Sequence, residues 1–474
     1  MATDVRPPES VKLRRVLGAR DVVLLTIVAV VALRWLSVAA QLGPAGLTLW
    51  LMGALLFEIP LGLAVLELGS RNPGEGGLYL WSKEAFGERH GFVAGWTYWV
   101  ANQISVPSAL LFTAGMFGYV GGGRGMHLAS SPGYNAAFCL AVLWGVTLFN
   151  VRGLDRAKWL PNVGAVAVWL VATLVVLAGA VAWYRFGPAT VISPRSLVPD
   201  FGSASTFAIF AMMALAYDGL ELGPVMGGEI RDPRRVMPRA MLMAMICIAF
   251  IYVAGTASLL IALPREQIDL IGGIPQTLMA VGTRLNLPAF APVAALLIVI
   301  ANIGAVSGWT AGTARIPFVI GVDRYLPPAL GKLHSVHGTP WVALLVQSVV
   351  GTAAVLMALA GATIREAFVV LIDMSAILTF VPLLYLFAAL PVLRRRARGR
   401  NDGLTLVPGG AAGSWLCGAA GFLTTALATV TSMIPPAGSN PALFLLKVIG
   451  GSALLVGVGL VFFERGRRDL AKAH

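Results

Sequence analysis

Twelve stretches of this chain are apolar for long enough to cross a bilayer as a helix, which takes about 20 residues. Bounded by polar, Gly/Pro-rich or basic punctuation, their cores are 22–42, 46–69, 92–118, 134–150, 162–184, 203–225, 238–262, 289–319, 340–360, 366–391, 413–432 and 442–463. Only 12% of the 474 residues are charged and the mean hydropathy is +0.80. A water-soluble chain carries about 25% charged residues, so a string of soluble domains is excluded. The reading is a single all-α membrane protein of about 12 transmembrane helices. Its net charge of +13 then belongs to loops at the membrane surface, not to a nucleic-acid interface.

The side on which Lys and Arg fall sets the orientation. With the N-terminus inside, 26 of the 35 basic residues lie in the tails and inner loops, and six (Arg124, Arg185, Arg195, Arg265, Arg284, Arg365) lie in outer loops. Arg34, Arg315 and Lys447 fall within or at the ends of runs. Both termini are expected in the cytoplasm, in the plasma or inner membrane. The densest inner run is Arg394-Arg395-Arg396 with Arg398 and Arg400, a solvated anchor that separates ten helices from the last two. The expected organisation is a tail over 1–20, a ten-helix core over 21–391, a basic loop over 392–412, two additional helices over 413–463 and a tail over 464–474. The polar, basic start of the chain does not read as a cleaved signal peptide. Cys139, Cys247 and Cys417 lie in apolar stretches without a CxxC spacing and read as small core residues.

Charged groups inside a span cost about 2.5–3.5 kcal/mol each on insertion scales, so they point to function. Arg34 interrupts Val28-Ala29-Val30-Val31-Ala32-Leu33 near the middle of the first run. Two readings stand: a permanent ion pair with an acid on a neighbouring helix, or a direct hold on an anionic group of a substrate. The sixth run carries Ala216-Tyr217-Asp218-Gly219-Leu220-Glu221-Leu222-Gly223-Pro224. Its two carboxylates share a face if the helix is continuous, but Gly219, Gly223 and Pro224 argue for a break. A broken helix frees carbonyls on one side and amides on the other, and such groups survive in a membrane only in protein or beside a polar cavity. Asp218 and Glu221 read either as ligand-binding acids or as structural caps of the broken helix.

Glu58, Glu67 and Asp373 are further acids in or near runs, each with a structural reading as strong as a functional one. The five histidines fall in loops or the tail, without an HExxH or similar spacing, and a GxxxxGK[ST] phosphate loop is absent. No metal, cofactor or enzymatic reaction is expected.

Three segments resemble motifs of the amino acid/polyamine/organocation transporter superfamily, in the manner of its bacterial amino acid permeases. Glu67-Leu68-Gly69-Ser70-Arg71-Asn72-Pro73 with Gly76-Gly77-Leu78-Tyr79 resembles the family's E-L-x-x-x-x-P-x-x-G-G-x-Y loop. Tyr217-Asp218-Gly219-Leu220-Glu221, followed by Glu229 to Ala240, resembles A-Y-x-G-x-E and E-x-x-x-P-x-R-x-x-P-x-A. Asp323-Arg324-Tyr325-Leu326-Pro327 and Gly338-Thr339-Pro340 resemble R-D-G-x-x-P and G-T-P. All three lie on the side assigned to the cytoplasm from charge.

The resemblance implies two inverted five-helix repeats, runs one to five and six to ten, followed by two extra helices. It also implies a substrate site between unwound segments of the first and sixth helices, worked by alternating access. Here those segments are Leu33, Arg34 and Trp35, and Ala216, Tyr217, Asp218 and Gly219. Trp309 resembles the eighth-helix tryptophan of arginine/agmatine antiporters, against the plainer reading of an aromatic that fills the bundle. Glu221 matches the family glutamate that links substrate binding to protonation. The chain departs from the family at the first break, where Ala32-Leu33-Arg34-Trp35-Leu36-Ser37 replaces a glycine-rich turn. A substrate carboxylate is then expected to be held by the Arg34 guanidinium. A fifth-helix lysine of proton-coupled members is replaced by an apolar residue, aligned as Val168. The expected activity is secondary active transport of an amino acid, polyamine or related organic cation or zwitterion. The alternative is a receptor or partner-binding subunit that keeps the fold without transporting. The partners expected are a small-molecule substrate and the lipid bilayer.

Overall fold

The computed structural model describes residues 13–72, 74–270, 272–359, 364–397, 404–435 and 440–473, without the side chains of 204, 205, 208, 364–373 and 473. Arg365, Asp373, Arg398 and Arg400 are outside the described side chains. The described residues are mainly helical, and among them a single parallel bridge pairs Leu17 with Ile230.

Among the described residues, ten helices are long and apolar enough to cross a membrane, and the bent pair Ala19–Val30 and Arg34–Ala40, turned by 45° at its break, makes eleven. The second run is Ala45–Arg71, wound into a π-helical turn at Ala54–Glu58. The third, fourth and fifth are Glu88–Val120, Pro132–Val151 and Leu154–Phe186; the seventh and eighth are Pro233–Ala262 and Phe290–Val322. The ninth is Trp341–Leu359, the tenth Ile364–Arg396, and the last two are Gly410–Thr431 and Pro441–Lys472. The sixth run is not among these, because it forms the 13-residue helix Ala204–Ala216, an unwound stretch, and a four-residue turn Leu222–Val225. Gly219 explains that interruption. Its φ of +118° is a conformation an L side chain rarely adopts, and a Cβ there would meet Trp309 at 3.1 Å and Val30 at 3.2 Å.

Sequence alone does not explain the break in the first run, since Val31, Ala32 and Leu33 are not helix breakers. Tertiary contacts supply the freed groups with partners, as described below, and so remove the cost that would otherwise restore a straight helix. Close helix contacts depend on glycine in the usual membrane manner. A Cβ on Gly164 of the fifth run would lie 2.8 Å from the Gly304 Cα of the eighth, and the reverse contact is 2.7 Å.

The three motif loops gather on one face with both ends of the described chain. Val16 and Arg231 backbone amides donate to the carbonyls of Glu229 and Leu17 at 2.9 and 2.8 Å. Phe463 of the last helix packs 4.9 Å from the Tyr325 ring, and the Arg14 guanidinium donates to the Val336 carbonyl at 3.3 Å. We refer to this as the terminal face.

The fifth–eighth contact yields a measurable expectation. Gly304→Ala should lower stability by about 1–3 kcal/mol, the usual cost of overpacking, and lower the melting temperature of detergent-solubilised protein. Gly145→Ala, where a Cβ meets nothing within 4 Å, should leave it unchanged; equal melting of the two variants would contradict the packing assignment.

Candidate functional site

Both helix breaks are closed by side chains from other runs. The Trp309 indole N–H donates to the Ala29 carbonyl at 3.1 Å. The Tyr252 hydroxyl of the seventh run lies 2.8 Å from the Val30 carbonyl of the first break and 2.8 Å from the Ala216 carbonyl of the sixth, and accepts from the Ala32 N–H at 3.3 Å. A hydroxyl has one proton to donate, so a single donor serves both breaks. The Tyr252 ring is held by Trp50, stacked at 4.2 Å, and by Tyr217, edge-on at 5.4 Å.

On the sixth-run side, Glu221 is fully buried and accepts from the Tyr98 hydroxyl at 2.8 Å and from the Gly219 N–H at 3.1 Å. The Asp218 carboxyl is its neighbour. Between the breaks lies a cavity of about 110 Å³, lined in part by Arg34, Trp35, Tyr98, Asp218, Asn302 and Trp309. Arg34 Nε, Asp218 Oδ1 and Asn302 Nδ2 are buried and have no hydrogen-bond partner among the described residues. The Arg34 guanidinium lies 4.9 Å over the Trp35 ring, a cation–π contact, and no ion pair to it occurs among the described residues. Among the described residues, therefore, the ion-pair reading of Arg34 finds no acidic partner.

Of the residues expected at the substrate, Arg34, Trp35, Asp218 and Trp309 line the cavity. Leu33, Ala216, Tyr217 and Gly219 do not. Leu33 is buried, Ala216 presents its carbonyl to Tyr252, and Gly219 provides the turn. Tyr217 points away, its hydroxyl donating to the Trp50 carbonyl at 3.0 Å. Glu221 lies behind the cavity wall and reaches it through Tyr98, whose ring is 6.1 Å from Trp309.

Tyr98, Tyr252 and Asn302 were not singled out by sequence reasoning, although a hydroxyl or amide within an apolar run is a visible signal. Val168 is buried and apolar, as aligned. Glu67 proves to be a structural hub that binds Arg71, Arg394 and the Val407 amide at 2.8, 3.1 and 2.8 Å. Glu58 is buried in the π-helical turn, and its Oε1 has no hydrogen-bond partner among the described residues.

Towards the terminal face the cavity floor is followed by a layer of charged pairs. Arg315 donates through Nε and Nη2 to Glu229 at 2.8 and 2.9 Å, both side chains almost wholly buried. Lys83 and the Tyr79 hydroxyl meet Asp323, the former at 2.7 Å. Lys158 and Asn162 hold Asp21 at 3.1 and 2.9 Å. No group of three or more His, Cys, Asp or Glu side chains is arranged to hold a metal among the described residues. A larger hollow of about 960 Å³, walled by Trp99, Val346, Met357 and Phe462, is nearly all apolar and lies away from both breaks; Gln103 and Lys447 reach it, but no carboxylate lines it among the described residues.

Comparison with known proteins agrees with this geometry. The amino acid permease family model matches residues 17–454. An uncharacterized transporter of Legionella pneumophila is 28% identical over 461 residues, covering 96% of this chain and 98% of that protein. A glutamate/gamma-aminobutyrate antiporter of Lactococcus lactis is 27% identical over 394 residues, 82% of this chain and 77% of its own. A manganese transporter of Eremococcus coleocola shares the fold, with a TM-score of 0.61 at 11% identity over 96% of this chain and 94% of that one. Helices that cross the membrane many times, two of them broken around a polar cavity, together with a match over nearly the whole length, make this chain a membrane transporter that belongs to the amino acid permease family.

Proposed function

We propose that the protein carries a zwitterionic amino acid across the cell membrane by alternating access, its carboxylate held by Arg34 and its ammonium group by Asp218. The observation that carries this reading is a pair of buried atoms without a hydrogen-bond partner among the described residues, Arg34 Nε and Asp218 Oδ1, from side chains of opposite charge type on one cavity between two broken helices. Unsatisfied buried polar atoms are costly, and a ligand with both charges satisfies both. A polyamine meets Asp218 favourably but is repelled by Arg34, so we rank it below an amino acid. Similarity to an antiporter named for glutamate and gamma-aminobutyrate supports a substrate with both a carboxylate and an amine.

Glu221 takes the role of proton link in this reading. It touches the cavity wall through Tyr98 and the sixth break through the Gly219 N–H. Gain or loss of its proton therefore alters contacts to two elements that must move during the cycle, which is how a bound ligand biases two conformations. The terminal face is assigned to the cytoplasm from its basic residues.

Arg34→Lys keeps the charge but loses the planar two-donor fork. Losing one charge-assisted hydrogen bond costs about 1.5–3 kcal/mol, so affinity for amino acids should fall by roughly 10- to 100-fold, with decarboxylated amines little affected. Equal losses for both ligand classes in a binding assay on purified protein would remove the carboxylate assignment.

Glu221→Gln should leave substrate binding measurable but flatten the pH dependence of uptake into proteoliposomes between about pH 5 and 8. A parental pH profile in the variant returns Glu221 to a purely structural role.

For orientation, single cysteines at Arg89 and Arg396 in a cysteine-free background should resist an impermeant thiol reagent added to intact cells. Labelling from outside at either position would reverse the assignment of the terminal face.

A further inference from the structure

Below the substrate cavity, the terminal-face layer contains a carboxyl group that its charged neighbours leave unpaired. Glu75 lies in the turn between the second and third runs, outside the spanning helices and within the motif that ends at Tyr79. Both of its carboxyl oxygens are buried, with no hydrogen-bond partner among the described residues. The backbone at Gly228 packs so closely on this carboxyl that a side chain there has no room. The turn between the second and third runs, the turn after the sixth and the eighth helix therefore meet at one point. Arg315 is six residues past Trp309, about 9 Å along the helix, so this junction lies between the cavity and the terminal face.

Two charged groups face Glu75: Glu229 from the turn after the sixth run and Arg315 from the eighth helix. Arg315 is already committed, through Nε and Nη2 to Glu229 and through Nη1 to the Ala311 carbonyl. On the flanks of Glu75's own segment, Arg71 is bound to Glu67, Lys83 to Asp323, and Glu84 accepts from Asn72 at 2.9 Å. Two carboxyl groups thus share one guanidinium, and only one of them receives its hydrogen bonds. A second ionised carboxylate here would be a buried, uncompensated charge.

We propose that Glu75 is a proton-binding site of the terminal-face gate, which stays closed while Glu75 is protonated and releases the proton to that face on opening. Burial, with the Glu229 charge second, pushes the Glu75 carboxyl well above the usual carboxylate range, and Arg315 together with the Gly228 backbone offsets only part of this. Opening the layer exposes Glu75 to water and returns it towards its ordinary value. Because its affinity for protons is higher in the closed state, protonation favours closure. That contribution is complete below the open-state pKa and is lost as pH rises towards the closed-state pKa, by up to about tenfold per pH unit. The inference rests on alternating access as proposed above but on nothing said there of the substrate.

A reporter cysteine tests it without any substrate. Ala311 is buried directly above the junction, so Ala311→Cys, with Cys139, Cys247 and Cys417 replaced by Ala, should react with N-ethylmaleimide only when the layer opens. Rates are measured on full-length purified protein from about pH 6 to 9 and normalised at each pH to the SDS-unfolded protein, which cancels the chemistry of the thiol. The normalised rate should rise about tenfold or more across this range. Glu75→Gln, which keeps the shape of the protonated acid, should remain slow and flat. Glu229→Gln frees the Arg315 fork for Glu75 and should also remove the pH dependence; this arm decides the matter if Glu75→Gln does not fold. A flat parental profile, or a parental rise that survives in either variant, overturns the proposal. Those results would leave the Arg34 and Glu221 assignments standing, and failure of those assignments would leave this one untouched.

Discussion

Inside a bilayer every backbone N–H and C=O must find its partner within the protein, and here very few side chains meet part of that requirement at two broken helices. Tyr252 serves parts of both breaks with one hydroxyl, and Trp309 donates to a further carbonyl, that of Ala29. Trp50 and Tyr217 fix the Tyr252 ring, and Trp50 is itself anchored through its indole N–H to Thr256 at 2.9 Å. The helices can therefore unwind at mid-membrane without leaving those carbonyls bare. The cavity, its charged lining and the burial of Glu221 all depend on that local unwinding.

The charge layout follows from the same geometry. Arg34 begins the second half of the first helix and Asp218 lies in the unwound part of the sixth, so groups of opposite sign meet at the cavity from different elements. Beneath them, the Arg315–Glu229, Lys83–Asp323 and Lys158–Asp21 pairs form a layer across several loops and helices. A buried ion pair contributes little net stability because desolvation offsets its attraction, yet removing one partner is expensive. Such pairs suit a gate: they favour one arrangement of the loops without locking it. A layer with one carboxyl more than its guanidinium can serve also acquires a sensitivity to protons that paired charges lack.

Much of the architecture was legible in the sequence. Apolar runs placed helices, basic residues sorted the loops onto one face, and Gly219 marked the break in the sixth run because its backbone conformation excludes most side chains. Arg34 and Asp218 were visible as charges that cannot be left in hydrocarbon, and both line the cavity. Tyr217, expected at the substrate, does not line the cavity. The motif places it correctly in the chain, but the direction of its side chain is set by Trp50, which lies 167 residues away.

What the sequence by itself determined was the class of fold and the positions at which polar groups must be buried, since both follow from the cost of placing charge and bare backbone in lipid. Tertiary structure alone decided which polar groups are satisfied and which are left over. The first helix breaks without a glycine because Tyr252, 222 residues beyond Val30, waits for its carbonyl. Glu75 and Glu229 look equivalent as acids in adjacent motifs, but Arg315 has one fork and the fold gives it to Glu229. Pairing is a competition among groups distant in the chain, and only their arrangement in space settles which carboxyl keeps a charge and which keeps a proton.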